Sequence, residues 1–520
     1  NGVMAANQWV AIDNEDAGQD NEPDHYWYYF QANGKALKNG DNAKVALKTI
    51  NGKKYAFDDE GKMLYGWVSE DNAERVDDTD GDGFKEGTYY FGGEDDGAMT
   101  VGWLQMDITY DEATNDNEIA PVFNDDEDQS RWFYFQSNGK KVQAKDGDLQ
   151  KSKTINGKKY EFDQYGAMTA EWSLDVEAAS KSGTRDGYST SATNSVSAKY
   201  AEQWRYFNSV EDGSRVSKGW FKVVAAEYLN YDKYNDDEDA WYYADGSGNL
   251  YAGEFKTIKG KKYGFDEKGK MLSGMKFIKV NGNNLDSIKS DDDETLPFET
   301  EDLFDENSIE LAKLGYSCYY FGDGEDGAMK TGKMQVEIDG DKYSFNFGKS
   351  GSKKGAGKVG EDDKKLYNSG KLMAAGKDEK YQVVYPVYDT KTVDGREVTE
   401  LVGYKKYEDS FKFAAAAAAD TANVKVLHSY ADVEAEGLTD AQLNSCGINK
   451  TKLKDDKYGD VNIFMTKQAD GSYTLGLDSK KYMVVNTTGS VSKSSAKNKD
   501  GNDVYYKLNS GKIVATFSEN

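Results

Sequence analysis

The segment Asp78-Thr79-Asp80-Gly81-Asp82-Gly83-Phe84-Lys85-Glu86 sets carboxylates at alternate positions among glycines. That is how a loop wraps a hard cation in oxygen ligands. Asp78, Asp80, Asp82 and Glu86 are therefore the candidate metal ligands, and calcium is the cofactor they suit. Tyr89 stands where the twelfth position of an EF-hand loop requires a bidentate Glu, so a full EF-hand is excluded. The competing reading is a solvated acidic loop with no ion. Other chemistry is scarce. His25 and His428 are the two imidazoles, which leaves no multi-histidine metal site and little scope for Ser-His or Cys-His nucleophiles. Cys318 and Cys446 have no zinc spacing, and a bridge between them stays open.

The 92 acidic residues will pair somewhere by chance, but paired carboxylates for glycoside hydrolysis have no domain to sit in. The one block outside the repeats described below spans residues 380–473, small for a fold that must bury and tune two carboxyls. Gly322-Asp323-Gly324 and Gly355-Ala356-Gly357 lack the Lys-Ser/Thr pair of a phosphate loop. No catalytic residue is assigned.

The elements that must position any site follow from composition and repetition. The chain has 520 residues, 65 Lys and Arg against 92 Asp and Glu, and a net charge of −27. An acidic field of that size excludes nucleic acid as partner and disfavours anionic lipid. No run approaches the ~20 apolar residues of a membrane span, and Asn1 to Val10 lacks the basic start and apolar run of a signal peptide. With 38% hydrophobic residues and a mean hydropathy of −0.83, thick conventional cores are not expected. The 37 Tyr set the chain apart from disordered acidic polymers, and 53 Gly against 4 Pro favour tight glycine turns.

Three hairpin types recur in step. One reads Ile50-Asn51-Gly52-Lys53-Lys54-Tyr55-Ala56-Phe57-Asp58 and returns at Ile155 to Asp163 and Ile258 to Asp266. A Trp-led type begins at Trp27, Trp132 and Trp241. A third centres on Tyr90, Tyr206 and Tyr320. Tyr55 and Phe57 share one face, Asp58 to Gly61 turns, and Met63, Tyr65 and Trp67 are expected to return as the partner strand. Gly61, Gly166 and Gly269 suit a left-handed turn position. A lone hairpin is marginal in water, so each must bury its aromatic face on the next.

The expected fold is therefore all-β, a solenoid of stacked β-hairpin repeats with a small α+β module near the C-terminus. Residues 1–25 read as a partial leading repeat, 26–130 and 131–240 as super-repeats 1 and 2, and 241–379 as super-repeat 3 with degenerate hairpins. Residues 380–473 form the non-repeat α+β module, with strands at Tyr381 to Tyr388 and Val461 to Thr466 and a helix near Thr439 to Ser445. Hairpins return over 474–520. The run Ala414 to Ala419 reads as a helical turn or as placeholder residues.

The repeats resemble the cell-wall-binding, or choline- and glucan-binding, repeats of Gram-positive bacteria. An aromatic hairpin, a Gly turn, an apolar residue and a closing Gly-Trp are matched by Tyr55, Phe57, Gly61, Met63 and Gly66-Trp67; by Tyr90, Phe91, Gly97, Met99 and Gly102-Trp103; and by Trp204, Tyr206, Phe207, Gly213, Val216 and Gly219-Trp220. The resemblance covers residues 1–375 and 474–517. It implies a secreted or surface-attached protein, with ligands between consecutive hairpins in cages of Trp and Tyr with a Met. Aromatic faces attract a quaternary ammonium or stack on a sugar ring.

Carried over by position, the ligand-binding candidates are Trp27, Trp67, Trp103, Trp132, Trp172, Trp204, Trp220 and Trp241. The bland alternative is that these rings serve only as stacking core. Lys54, Lys159 and Lys262 stand where choline-binding units carry Trp, and Met275 and Lys333 replace the closing Trp in super-repeat 3, which removes a cage wall at each.

The function expected is non-catalytic binding of a cell-wall polysaccharide or teichoic-acid-type polymer, with repetition serving avidity. Two alternatives accompany it. One is a structural protein that self-associates into a surface filament or array, to which the half unit Asn1-Gly2-Val3-Met4 with Trp9 offers an open edge. The other is the binding region of a wall-active enzyme whose catalytic domain lies outside this chain.

Overall fold

The computed structural model describes residues 2–19, 22–79, 81–108, 129–145, 150–174, 198–227, 229–494 and 498–519. The chain is all-β in its bulk, with strands far outnumbering short helices. It divides into two units, residues 1–253 with 265–271, and residues 254–264 with 272–520.

In the first unit the strands pair two by two. Gln8–Asp13 pairs with His25–Phe30, Trp67–Val68 with Tyr89–Tyr90, Gly102–Ile108 with Gln129–Phe135, Glu171–Leu174 with Trp204–Phe207, and Gly219–Val224 with Asp239–Ala244. This corrects the pairing expected within a unit. The Asp58–Gly61 turn closes a single bridge, Phe57↔Met63, and Trp67 is partnered by Tyr90 of the following hairpin. The Gly-Trp that ends one sequence unit therefore begins the next hairpin. Period-2 alternation could not distinguish these partners, because both strands present aromatics on one face. Gly61, Gly166 and Gly269 do adopt positive φ, at 92°, 85° and 85°.

Two contacts recur, one within each hairpin and one between hairpins. The first is a cross-strand pair: Trp9↔Tyr29, Trp67↔Tyr90, Trp103↔Tyr134, Trp172↔Tyr206 and Trp220↔Tyr243 lie directly opposite each other. Each pair meets edge to face; for Trp103 and Tyr134 the centroids are 5.0 Å apart at 67°. Such pairs add ~0.5–1.5 kcal/mol beyond burial.

The second is a backbone stitch, in which the second residue after a turn Gly donates its N–H to a strand carbonyl of the preceding hairpin. Met63 to Trp27, Met99 to Lys54, Lys141 to Thr88, Met168 to Trp132, Arg215 to Lys159, Met271 to Trp241, Met329 to Lys262 and Gly357 to Cys318 all measure 2.7 or 2.8 Å. The core follows the stitches as a series of small aromatic clusters.

The second unit contains two five-stranded sheets, built by Glu254–Ile258, Lys261–Phe265, Met275–Asn281, Asn284–Lys289 and Ser317–Tyr320, and by Gly332–Ile338, Asp341–Phe347, Gly360–Asp362, Lys365–Asn368 and Lys371–Leu372. The helix Glu301–Lys313, capped by Thr300, packs beside them. Beyond residue 380 a long hairpin, Tyr381–Val393 with Arg396–Lys406, precedes the helices Ser410–Ala419, Tyr430–Glu436, Asp440–Ser445 and Lys450–Lys454. The alanine run lies within the first of these helices, Ser410–Ala419. Strands after residue 474 pair back into this region: Met483–Asn486 with Tyr381–Val393, and Lys512–Glu519 with Tyr458–Lys467. Cys318 and Cys446 are buried, unbridged, and in different clusters.

Candidate functional site

The eight tryptophans singled out in the sequence do not share one environment. Three corners, each at a Trp-led hairpin, are half-buried. At the second of them the Trp103 and Trp132 rings stand 6.3 Å apart at 87°, and Tyr160 of the next hairpin meets Trp103 at 4.9 Å and 66°. At the third, Trp220 and Trp241 repeat the pair at 6.3 Å and 88°, with Phe265 stacked on Trp220 at 5.7 Å. At the first, Trp9 and Trp27 pack against one small cluster, with Tyr55 4.9 Å from Trp9. The stitch from Met63, Met168 or Met271 to the carbonyl of Trp27, Trp132 or Trp241 fixes each corner against the following hairpin.

Carboxylates stand beside two of these corners. Trp27 Nε1 donates to Asp95 at 2.9 Å, and His25 Nε2 lies 3.0 Å from the same oxygen. Trp132 Nε1 donates to Glu211 at 3.3 Å. Both acids come from the acidic turn of the third-type hairpin. That turn is held close by glycine: a Cβ on Gly97 would fall 2.3 Å from Met63 Sδ, and one on Gly213 the same distance from Met168 Sδ. Met63 and Met168 are accordingly buried beneath the turns.

The remaining candidates sit in closed surroundings. Trp172 and Trp204 keep the perpendicular pairing, at 6.3 Å and 84°, but Trp204 is only 1% exposed. Tyr200, from the helix Ala198–Ala201, covers Trp204 at 6.2 Å, and Trp172 Nε1 donates to the Val224 carbonyl at 2.7 Å. Trp67 is 3% exposed and lies among Phe84, Phe133 and Phe135. Sequence reasoning did not include Trp9 and Tyr160 among the ligand residues. Trp9 occupies the same Gly-turn-to-Trp position as Trp103 and Trp220, and Tyr160 is the hairpin aromatic that follows Lys159.

At the acidic loop, Asp78 accepts the Gly83 N–H at 2.8 Å, and burial followed by the neighbouring Asp82 raises its carboxyl above the ordinary range. Asp82 precedes the short helix Gly83–Glu86 without a side-chain cap bond, and Asp80 lies outside the described residues. Among the described residues no three His, Cys, Asp or Glu side chains converge as metal ligands. No helix of the described residues is long and apolar enough to cross a membrane.

No family model matches the chain. Among curated proteins it is 24% identical over 273 residues to Glucosyltransferase-S of Streptococcus mutans, a match covering 52% of this chain and 12% of that enzyme's length. Among solved structures, choline binding protein F of Streptococcus pneumoniae, in the presence of a peptidoglycan analogue, is 19% identical, with 69% of this chain and 91% of that one covered and a TM-score of 0.31. The modular autolysin LytC of Streptococcus pneumoniae is 16% identical over 73% of this chain and 54% of its own, also with a TM-score of 0.31.

Proposed function

We propose that the chain is an extracellular, non-catalytic wall-binding protein of a Gram-positive bacterium, a solenoid of stacked hairpins. Its half-buried tryptophan corners grip a cell-wall polysaccharide or teichoic-acid-type polymer. The observation that carries this reading is the half-buried, perpendicular tryptophan corner at Trp103 with Trp132, repeated at Trp220 with Trp241, while Trp9 and Trp27 pack against one cluster at the corresponding hairpin. Two perpendicular indole faces suit a quaternary ammonium or a sugar ring. Asp95 and Glu211 beside them favour a substituent that is positively charged. Several weak sites on one chain bind a repetitive polymer far better than one site does. The test is retention of the purified chain on wall polymer; retention no better than that of an unrelated acidic protein would defeat the reading.

A second reading rests on the match to part of a glucosyltransferase, whose length this chain spans only to 12%. In it, the chain is the glycan-binding region of a longer wall- or glucan-active enzyme. Binding to α-glucan in preference to wall polymer would favour it. Self-association into a surface array is separable from both by light scattering of the purified chain.

A further inference from the structure

The alanine run Ala414–Ala419 and His428 take no part in the tryptophan corners, yet they meet at one cleft in the module beyond residue 380, with a volume of about 720 Å³. The helix Ser410–Ala419 supplies its apolar side. Phe413 and Ala417 turn into the core and are fully buried, while Ala415 and Ala418 line the cleft. Phe411, 46% exposed, lines it as well. The spacing of Phe411, Ala415 and Ala418 is i, i+4 and i+7, so one whole helix face is given to the cleft.

The rest of the lining is polar, and its available atoms are of one kind. The strand Tyr458–Lys467 shifts register against Lys512–Glu519 between Gly459 and Asn462, and the Val461 carbonyl at this bulge lies 3.2 Å from His428 Nδ1. A carbonyl only accepts, so Nδ1 carries the proton and Nε2 of the neutral ring is left as an acceptor. Asp456 and Asp460 line the cleft with carboxylates that take no hydrogen bond or ion pair among the described residues. Asn462 uses Nδ2 on the Asp460 carbonyl at 2.9 Å and on Thr516 Oγ1 at 3.2 Å, which leaves its Oδ1.

Acceptors around an apolar helix face select a ligand. Two carboxylates against one cation, Lys454, repel an anion. Among the described residues no three His, Cys, Asp or Glu side chains converge as metal ligands, and acceptors so dispersed suit neither a metal ion nor the single centre of an ammonium. A purely apolar ligand would strand them without partners. A neutral pyranose meets every condition: hydroxyls around the ring supply donors, and its C–H face can lie on methyl groups and a phenyl ring.

We propose that this cleft binds one neutral pyranose unit, with Phe411 and Ala418 against the ring face and His428 Nε2, Asp456 and Asp460 accepting from its hydroxyls. The site shares no residue with the tryptophan corners and stands whether or not they bind wall polymer. The chain has two histidines, so NMR of the full-length chain with isotope-labelled histidine resolves His428, assigned by loss of the other imidazole signal in His25→Gln. Methyl glucoside and N-acetylglucosamine are the probes; sorbitol, a polyol without the ring, and glucuronate, an anion, are the controls. The expected result is a saturable shift of the His428 signal with at least one pyranose, half-complete at about 1–10 mM, and about tenfold weaker with either control. Phe411→Ala, at an exposed position, should weaken the response about fivefold, and Ala418→Trp, which fills the cleft, should abolish it. Trp132→Ala combined with Trp241→Ala should leave it unchanged, which separates this site from the wall-binding reading. No saturable shift with either pyranose, equal affinity for sorbitol, an unchanged response in Phe411→Ala, or its loss with the two tryptophans overturns the proposal.

Discussion

Trp103 and Trp132 stand on paired strands with ring centroids 6.3 Å apart and planes at 87°, one indole presenting its edge to the other's face. The two rings have different duties. Trp103 also meets Tyr134, Tyr160 and Phe162, at 5.0, 4.9 and 5.8 Å, so it ties its own hairpin to the next. Trp132 forms the other wall and reaches outward to Glu211.

Truncation should separate those duties. Trp103→Ala is expected to cost about 3–5 kcal/mol of stability, read by denaturant unfolding. Trp132→Ala should cost less and act chiefly on retention by wall polymer. If Trp132→Ala binds wall polymer as the wild type does while Trp27 and Trp241 are also replaced, the corners are packing and nothing more.

Asp163 makes stability depend on pH. Burial pushes its carboxyl up to about 6 from an ordinary 3.8, against hydrogen bonds from Ala167 and Tyr165 that work the other way. The folded chain therefore holds this proton more tightly than the unfolded chain, and stability falls as pH rises through that interval. Lys141, depressed to about 7, has the opposite effect above that pH: stability recovers as the unfolded lysine loses its proton. Melting curves of Asp163→Asn and wild type should thus diverge in the variant's favour between about pH 4 and 7, by up to about 3 kcal/mol for two pKa units. A constant difference would show that Asp163 is not the titrating group.

Lys371 anchors the helix Glu301–Lys313 through Glu301 and Asp305, with Tyr343 donating to Glu301 at 3.0 Å. The Glu301 carboxyl is held below its ordinary value; burial opposes the shift, and Lys371 leads the groups that lower it. Its stabilising contribution is present above the ordinary carboxylate range and lost as pH falls through the folded value. Lys371→Ala removes the nearer cation and leaves Lys406, 3.5 Å from Asp305 and 3.9 Å from Glu301, to face both carboxylates, and should cost up to about 3 kcal/mol. Lys44→Ala, at a largely exposed pair with Glu70, should barely change the unfolding midpoint.

A divalent cation in the Asp78 to Glu86 loop would relieve the repulsion that helps raise the Asp78 carboxyl. Millimolar calcium is then expected to raise the melting temperature above that in chelator, and Asp78→Asn to abolish the difference. Superimposable melts in calcium and in chelator would remove calcium from the account.

Burial pushes the Cys446 thiol up to about 11 and that of Cys318 higher still. Neither thiol should react with a disulfide reagent at neutral pH until the chain unfolds. Two thiols should then titrate without prior reductant; a count of zero would mean that the cysteines are bridged.

Much of the fold was legible because its determinants are local. A left-handed φ at Gly61 is encoded by glycine itself, and the Tyr and Phe that share a strand face follow from the two-residue period. The helix expected near Thr439 to Ser445 is present as Asp440–Ser445, where Thr439 and Gln442 form a capping box. Pairing was harder. Trp67 had aromatic candidates on both sides, and only the backbone hydrogen bonds show that Tyr90 is its partner.

The sequence by itself determined the repeat type, the turn positions and the aromatic faces, because each is written in neighbouring residues. Which tryptophan corners remain partly open was decided by tertiary structure alone. Trp204 is sealed by Tyr200 from a spacer helix, and Trp67 by a lysine whose hydrogen-bond partner, Phe84, lies 57 residues away. Whether an aromatic corner is filled depends on what distant spacers and the next hairpin bring to it, and no local spacing records that.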